Sequence, residues 1–336
     1  MTSSFPLLSL PFLAFEQIVK SMDLIEVFEL SQVSRTTFDL LKSVRRKVHP
    51  IKIIKEGDEQ IIEVSETDNN EVELSFAFEA VDQDVIRHIE LRDCRLGVSD
   101  KEFGENTFVC YTNQFEQHFD DLVKYLAELF RNDTNAFYID HTKVKEIENV
   151  IRNPIFKKCV ALMVSTHTEQ KEKMRNEDME LLLENKPVLE ALLMNPELEE
   201  PEKLRRILDI SRVFIRHAEW VKSDDLIGFK GEVCWLKFHS LEGNDITKYV
   251  NHWLQEKNSK IKQLHLDEFK ERPLAEKVME GVHYSERSKD GRQRFHRTKG
   301  TFSPPEVDCQ NGLDIGNGHA TVVFNPDSFK FVVWDN

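Results

Sequence analysis

The chain has 336 residues, with 45 Lys and Arg against 60 Asp and Glu; this formal charge of −15 argues against wholesale binding along a phosphate backbone unless a local basic patch overrides the total. Its 40% apolar content suffices for one large or two moderate cores, and 31% charged residues keep it in water, so a folded intracellular protein, cytoplasmic or nuclear, is expected. No run approaches the roughly 18 apolar residues that span a bilayer, and the five cysteines (Cys94, Cys110, Cys159, Cys234, Cys309) are odd in number and far apart, which excludes a disulfide framework or zinc knuckle.

The first element lies in LPFLAFEQIVKSM, Leu10 to Met22. Pro6, Pro11 and Glu16 interrupt its apolar run and no Lys or Arg precedes Lys20, so it is not expected to act as a signal peptide. Pro11 suits the first turn of a helix, and Ala14, Ile18 and Met22 then recur at helical spacing with Leu13 and Val19 beside them. Asp23 and Glu26 have the spacing of a capping box before Leu24, Val27, Phe28 and Leu30. A third helix is expected from near Ser31, with Val33, Thr37, Leu40, Leu41 and Val44 on one side, and Arg45-Arg46-Lys47 complementing its C-terminal dipole. Three helices in about forty residues sit near the lower limit of what buries a core unaided. The surplus apolar surface should dock on another chain, or else cap the rest of this one.

The order Leu10-Pro11, Ile18, Met22, a short acidic linker, Leu30-Ser31 and Val33-Ser34-Arg35 resembles an F-box over residues 1–48. The resemblance implies docking on a Skp-type adaptor and through it on a cullin, with Leu10, Pro11, Ile18, Met22, Leu30, Val33 and Ser34 facing the adaptor.

Residues 49–84 are expected to form a linking β-strand region: a hairpin of Ile51, Ile53 and Ile61 to Val64 around Glu56-Gly57-Asp58, then alternation at Val72, Leu74, Phe76 and Phe78. Over 85–336 a pattern of apolar, two variable, apolar, one variable, apolar residues recurs at Ile86–Leu91, Cys159–Val164, Leu189–Met194, Ile210–Ile215, Val233–Phe238 and Ile261–Leu266, with a weaker copy at Phe137-x-Ile139. Centres 21 to 30 residues apart approach the period of leucine-rich repeats. Helical stripes fall between, at Phe115, Phe119, Leu122, Leu126 and Leu129 and at Ile246, Val250, Trp253 and Leu254. The expected fold is therefore α/β, a small helical F-box followed by an irregular leucine-rich-repeat-like strand/helix array, with an ordinary parallel α/β fold as the alternative. Asp245 to Trp253, Lys260 to Leu266, and Asp314-Ile315 with Ala320 to Val322 also resemble the F-box-associated region of a large nematode group of F-box proteins. That resemblance implies a target-recruiting domain.

Catalytic chemistry is not legible. Gly316-Asn317-Gly318 precedes the β-branched run Ala320 to Phe324, which makes it a hairpin turn and not a phosphate loop. Asp290-Gly291 between Tyr284 and Phe295 reads the same way, inside a basic segment, 287–299, that suits either a solvated hairpin or an acidic partner or nucleic acid. No metalloprotease, Walker, nucleophile-elbow or kinase motif occurs, so neither a cofactor nor a metal is expected.

If each repeat strand turns its apolar residues inward, the intervening positions form an open sheet face. Those are Arg212, Phe214 and Arg216, then Trp235, Lys237 and His239, then Gln263, His265 and Asp267, whereas Met163, Leu193 and Asn195 read as covered or bland. Arg, Trp and Phe are favoured interface anchors, which makes Arg212, Phe214, Arg216, Trp235, Lys237, His239 and His265 the candidate target-binding set. An ordinary solvated face is the alternative. The resulting expectation is a non-enzymatic adaptor of a Skp-cullin-F-box ubiquitin ligase, or a repeat scaffold that binds a protein target without a ligase.

Overall fold

The computed structural model describes residues 7–48, 51–56, 59–66, 73–79, 85–91, 94–99, 106–130, 135–144, 147–152, 154–166, 173–186, 188–256, 260–287, 295–296 and 306–334. The chain forms two compact units, one of residues 1–139 with 152–159, the other of 140–151 with 160–336. No division falls at residue 85, where the sequence suggested one: the strands on both sides of that point share one sheet.

The first unit opens with three helices, Phe12–Ser21 (α1), Leu24–Ser31 (α2) and Arg35–Val44 (α3). The Asp23 amide N–H donates to Glu26 at 2.9 Å, and Ser34 caps α3 by accepting from Thr37 N–H at 3.1 Å, so the starts of α2 and α3 each have a local partner for a backbone group otherwise unpaired. Six further segments make strands, Ile51–Glu56 (β1), Glu59–Val64 (β2), Leu74–Glu79 (β3), Arg87–Glu90 (β4), Arg95–Ser99 (β5) and Thr107–Tyr111 (β6), followed by Phe115–Leu129 (α4) and Asn135–Asp140 (β7). The sheet order is β7-β1-β2-β3-β6-β5-β4. The β1/β2 hairpin, with Ile53 opposite Ile62, and the helical stripe of α4 form where the sequence placed them. Short helices Ile147–Arg152 (α5) and Pro154–Lys158 (α6) follow, and Phe156 meets Phe137 edge-on at 5.3 Å.

The second unit is built on five strands that lie side by side in chain order and all run parallel: Ala161–Ser165 (β8), Ala191–Met194 (β9), Arg212–Ile215 (β10), Val233–Leu236 (β11) and Gln263–Asp267 (β12). Helices Asn176–Glu184 (α7), Ser223–Gly228 (α8) and Gly243–Gln255 (α9) join them, and Ala275–Val278 (α10) comes after β12. Of the remaining strands, Tyr284–Glu286 (β13), Leu313–Ile315 (β16), Ala320–Phe324 (β17) and Ser328–Val333 (β18) extend the sheet antiparallel from β12 in the order β18-β17-β16-β13. Phe295–His296 (β14) and Val307–Asp308 (β15) pair separately. Strands β13 and β14 do not pair with each other, which removes the hairpin expected between Tyr284 and Phe295; Asp290-Gly291 lies outside the described residues.

Register fixes which side chains share a face. Leu162, Leu192, Val213, Cys234, Leu264 and Phe331 are successive neighbours across the sheet and all are buried. Tyr249 and Trp253 of α9 pack edge-on against Phe331 at 5.5 and 5.2 Å, so this face carries the core. The repeat pattern predicted these strands but not every register. In β11 Leu236 faces inward and Trp235 outward as expected, but the inward residue aligned with Val213 and Leu264 is Cys234 and not Leu236, and the copy at Ile86–Leu91 belongs to β4, an antiparallel edge strand of the other unit. Between β16 and β17, Gly316, Asn317 and Gly318 all have positive φ (58°, 61° and 86°), the left-handed backbone that a tight turn needs and that Gly and Asn tolerate.

Candidate functional site

Two surfaces collect the residues singled out by sequence. On the N-terminal helices the buried set is Phe15, Val19, Leu24, Val27, Phe28, Phe38, Leu41 and Val44. Of the seven expected adaptor contacts, Leu10, Ile18, Met22 and Leu30 are half-buried and Pro11, Val33 and Ser34 exposed; none is spent on the inner core. Leu8, Phe12 and Leu13 add exposed apolar surface that sequence reasoning did not assign, Leu13 at 73% and Val33 at 70% exposure. Leu13 occupies the side of α1 away from Phe15 and Val19, a helical offset that could have marked it, while Leu8 and Phe12 lie before and at the start of the helix. Val33, Ser34 and Phe38 also border a groove of about 600 Å³ with Arg35, Leu91 and Tyr125.

The inner face of these helices is engaged within its own unit. Phe28 lies 5.0 Å from Phe76 and 5.4 Å from Phe108. Tyr125 of α4 packs 4.7 Å from Phe38, and its hydroxyl is 2.7 Å from Ser31 Oγ and accepts from Gln32 Nε2 at 2.8 Å. Arg87 grips Glu29 with both terminal nitrogens. The surplus apolar surface thus divides, one side capping the sheet and the other left open. The basic run after α3 departs from expectation too. Arg46 turns inward, pairs with Glu66 and donates to Val19 O at 3.0 Å, satisfying a carbonyl in the last turn of α1 and not the end of α3.

The second surface is the sheet face opposite α9. Its central row reads Met163, Leu193, Phe214, Trp235, His265, Lys330 across β8 to β12 and β18, and the row beyond it holds Asn195, Arg216, Lys237 and Asp267. Phe214 and Trp235 meet edge-on at 5.6 Å, and Trp235 and His265 are tilted at 5.6 Å. Trp235 donates its indole N–H to Asp267 at 2.6 Å, which fixes the ring. A depression of about 190 Å³ opens here, lined by Leu193, Asn195, Phe214, Arg216, Trp235 and Lys237. Leu193 and Asn195, which sequence reasoning set aside, therefore belong to it.

Four of the seven target-binding candidates are buried, Trp235 and Lys237 are half-buried, and Arg216 is exposed. Arg212 is buried and pairs with Glu232 at 2.9 Å, with Lys262 on the same carboxylate at 3.1 Å. Burial pushes the Glu232 carboxyl up, but the Lys262 hydrogen bond and charge, then Arg212, hold it below the usual carboxylate range. Phe214 shows only an edge. His239 is 1% exposed, because Phe238 before it has a φ of +43° and breaks the strand alternation that would have kept His239 on the open face. His265 is also 1% exposed. Next to it Gln263 donates to His296 Nδ1 at 2.7 Å, while Val307 and Cys309 pack against Val323 and Val332. The β14/β15 region thus covers this face from β12 onward and leaves it open at β9 to β11. Among the described residues no group of three His, Cys, Asp or Glu is placed to hold a metal, and no helix is long and apolar enough to cross a membrane.

Residues 7–49 match the F-box domain family. Residues 203–266, which contain β10, β11, α9 and most of the open face, match the family described as F-box associated. The chain therefore carries an F-box domain at its N-terminus and an F-box-associated domain in its C-terminal half. Uncharacterized protein F59B2.9 of Caenorhabditis elegans is 21% identical over 322 residues, covering 93% of this chain and 73% of the relative. Uncharacterized protein F59B2.8 of the same organism is 20% identical over 355 residues, covering 99% and 78%. No solved structure matches the chain.

Proposed function

We propose that this protein is a substrate-recruiting adaptor of a Skp-cullin-F-box ubiquitin ligase, non-catalytic itself, which holds its target near the transfer machinery and so raises the effective concentration of acceptor lysines. Leu10, Pro11, Ile18, Met22, Leu30, Val33 and Ser34 seat a Skp-type subunit. The open face of β9 to β11 receives the target, and the β8 to β12 run acts as a leucine-rich-repeat-like array. One observation carries the reading: the F-box helices use their inner side on Phe76, Phe108 and Tyr125 while Leu13 and Val33 stay in water, an arrangement that costs hydrophobic free energy until a partner covers it.

The test is co-purification with a Skp-type adaptor and a cullin. Val33→Asp, at an exposed position, and Ile18→Asp should each lower adaptor recovery about tenfold or more, as loss of a central interface residue does, with the circular dichroism spectrum unchanged. Undiminished recovery in both variants would falsify the F-box assignment of this surface. Adaptor recovery without cullin would favour a scaffold outside the ligase.

A further inference from the structure

Arg216 and Lys237 follow β10 and β11 on the open face, at the rim of the depression. Neither makes an ion pair among the described residues; each lies over an aromatic ring instead, Arg216 5.8 Å from the Phe238 centroid and Lys237 5.4 Å from that of Trp235. Several other cations of the same unit are matched to acids: Arg175 to Asp178, Lys203 to Glu200, Arg205 to Asp225, Arg212 and Lys262 to Glu232. What distinguishes Arg216 and Lys237 is that they are neighbours on the open face and both line the depression. Stacking on a ring holds a guanidinium or ammonium in place without using its N–H donors, so both are positioned and still unsatisfied. Beside them is a hollow of about 190 Å³ floored by Leu193, Phe214 and Trp235. That is below the roughly 300–1,000 Å³ of small-molecule sites and of a size for one large side chain.

We propose that this hollow binds a target segment in which one aromatic or branched aliphatic side chain enters between Phe214 and Trp235 while an Asp or Glu carboxylate close to it in sequence pairs with Arg216 and Lys237. The inference rests on the reading of this face as the target-recruiting surface and adds the chemical class of the target. Charge complementarity selects a carboxylate segment over a nucleic acid. Among the described residues Arg216 and Lys237 are the cations that line the hollow, and Asp267 lies in their row, hydrogen-bonded to Trp235, where it would repel a continuous line of phosphates.

A random 12-residue peptide library displayed on phage, selected on the purified full chain, tests this. Clones enriched on the wild type should carry Phe, Trp, Tyr, Leu or Ile within three positions of Asp or Glu. Synthetic peptides from those clones should bind at least tenfold more weakly to Arg216→Glu/Lys237→Glu and to Trp235→Ala, both proteins melting at the wild-type temperature. No enrichment, enrichment without acidic residues, or a fluorescent single-stranded oligonucleotide that binds and is lost in the charge-reversal variant would each overturn the proposal. Binding lost in Trp235→Ala but kept after charge reversal overturns the acidic class and leaves the face as a docking surface; binding kept in both variants overturns the surface as well.

Discussion

At the scale of single residues, two histidines carry a pH-dependent stability. His239 sits with its ring 4.4 Å from Phe269 and His265 beside Trp235, and both ring nitrogens of His239 and Nε2 of His265 have no hydrogen-bond partner among the described residues. Burial pulls His239 down to about 4; burial first, then Lys330 and His296, pull His265 down to about 3. Both are neutral in the folded state at pH 7. As pH falls below the ordinary value near 6.5, the unfolded chain takes up protons that the folded chain refuses, so stability is full above pH 6.5 and is lost on going down toward pH 4. Each histidine contributes on the order of 3 kcal/mol to that loss. Urea midpoints between pH 8 and 4.5 should fall steeply for the wild type and noticeably less steeply for His239→Phe; equal slopes would contradict the burial of that ring. Neither His239 nor His265 could be placed from sequence, because alternation predicts the face of a residue but not what covers that face. Arg287 teaches the same lesson. Counted in the sequence as one of a basic surface run, it is buried, donates to Asp314 and Thr321 at 2.8 Å, and lies 4.1 Å over Trp334, a set of partners drawn from distant strands.

At the scale of elements, the junction of α2 with α4 and the sheet decides whether the F-box is held. Phe28 is fully buried among Phe76, Phe108 and Tyr125, so Phe28→Ala should cost about 3–5 kcal/mol. Tyr125→Phe keeps the ring contacts and removes only the hydroxyl shared by Ser31 and Gln32, a loss of about 1 kcal/mol. Chemical denaturation followed by far-ultraviolet dichroism measures both, and a Phe28→Ala cost no larger than that of Tyr125→Phe would mean that the helix is not packed there. The helices, the β1/β2 hairpin, the α4 stripe and the Gly316–Gly318 turn were legible because each follows from periodicity or turn chemistry within a few residues. The register of β11 was not. Cys234 and Leu236 both face inward and are buried, so alternation gave the face but not the alignment, and only pairing with Val213 and Leu264 sets Cys234 beside them.

At the scale of the whole molecule, charge sets solution behaviour. The excess of acids gives a pI near 5.3, which falls within the window where His239 and His265 withdraw stability. Net repulsion and folding free energy therefore decline together as the solution is acidified. Turbidity on heating should peak close to pH 5.3 and be smallest near pH 8; a peak displaced to neutral pH would show that another association dominates. The continuity of the sheet across residue 85 was hidden in the sequence because it is set by pairings such as Phe76 with Phe108 that no local pattern encodes. One practical consequence lies in the seating of α2 on that sheet. A fragment cut at residue 49 and grafted elsewhere as a portable docking tag would carry Phe28, Phe38 and the Ser31 hydroxyl out into solvent, stripped of Tyr125 and the two sheet phenylalanines. Such a tag should self-associate through the very side it lost, so the smallest transplantable piece must extend at least through α4.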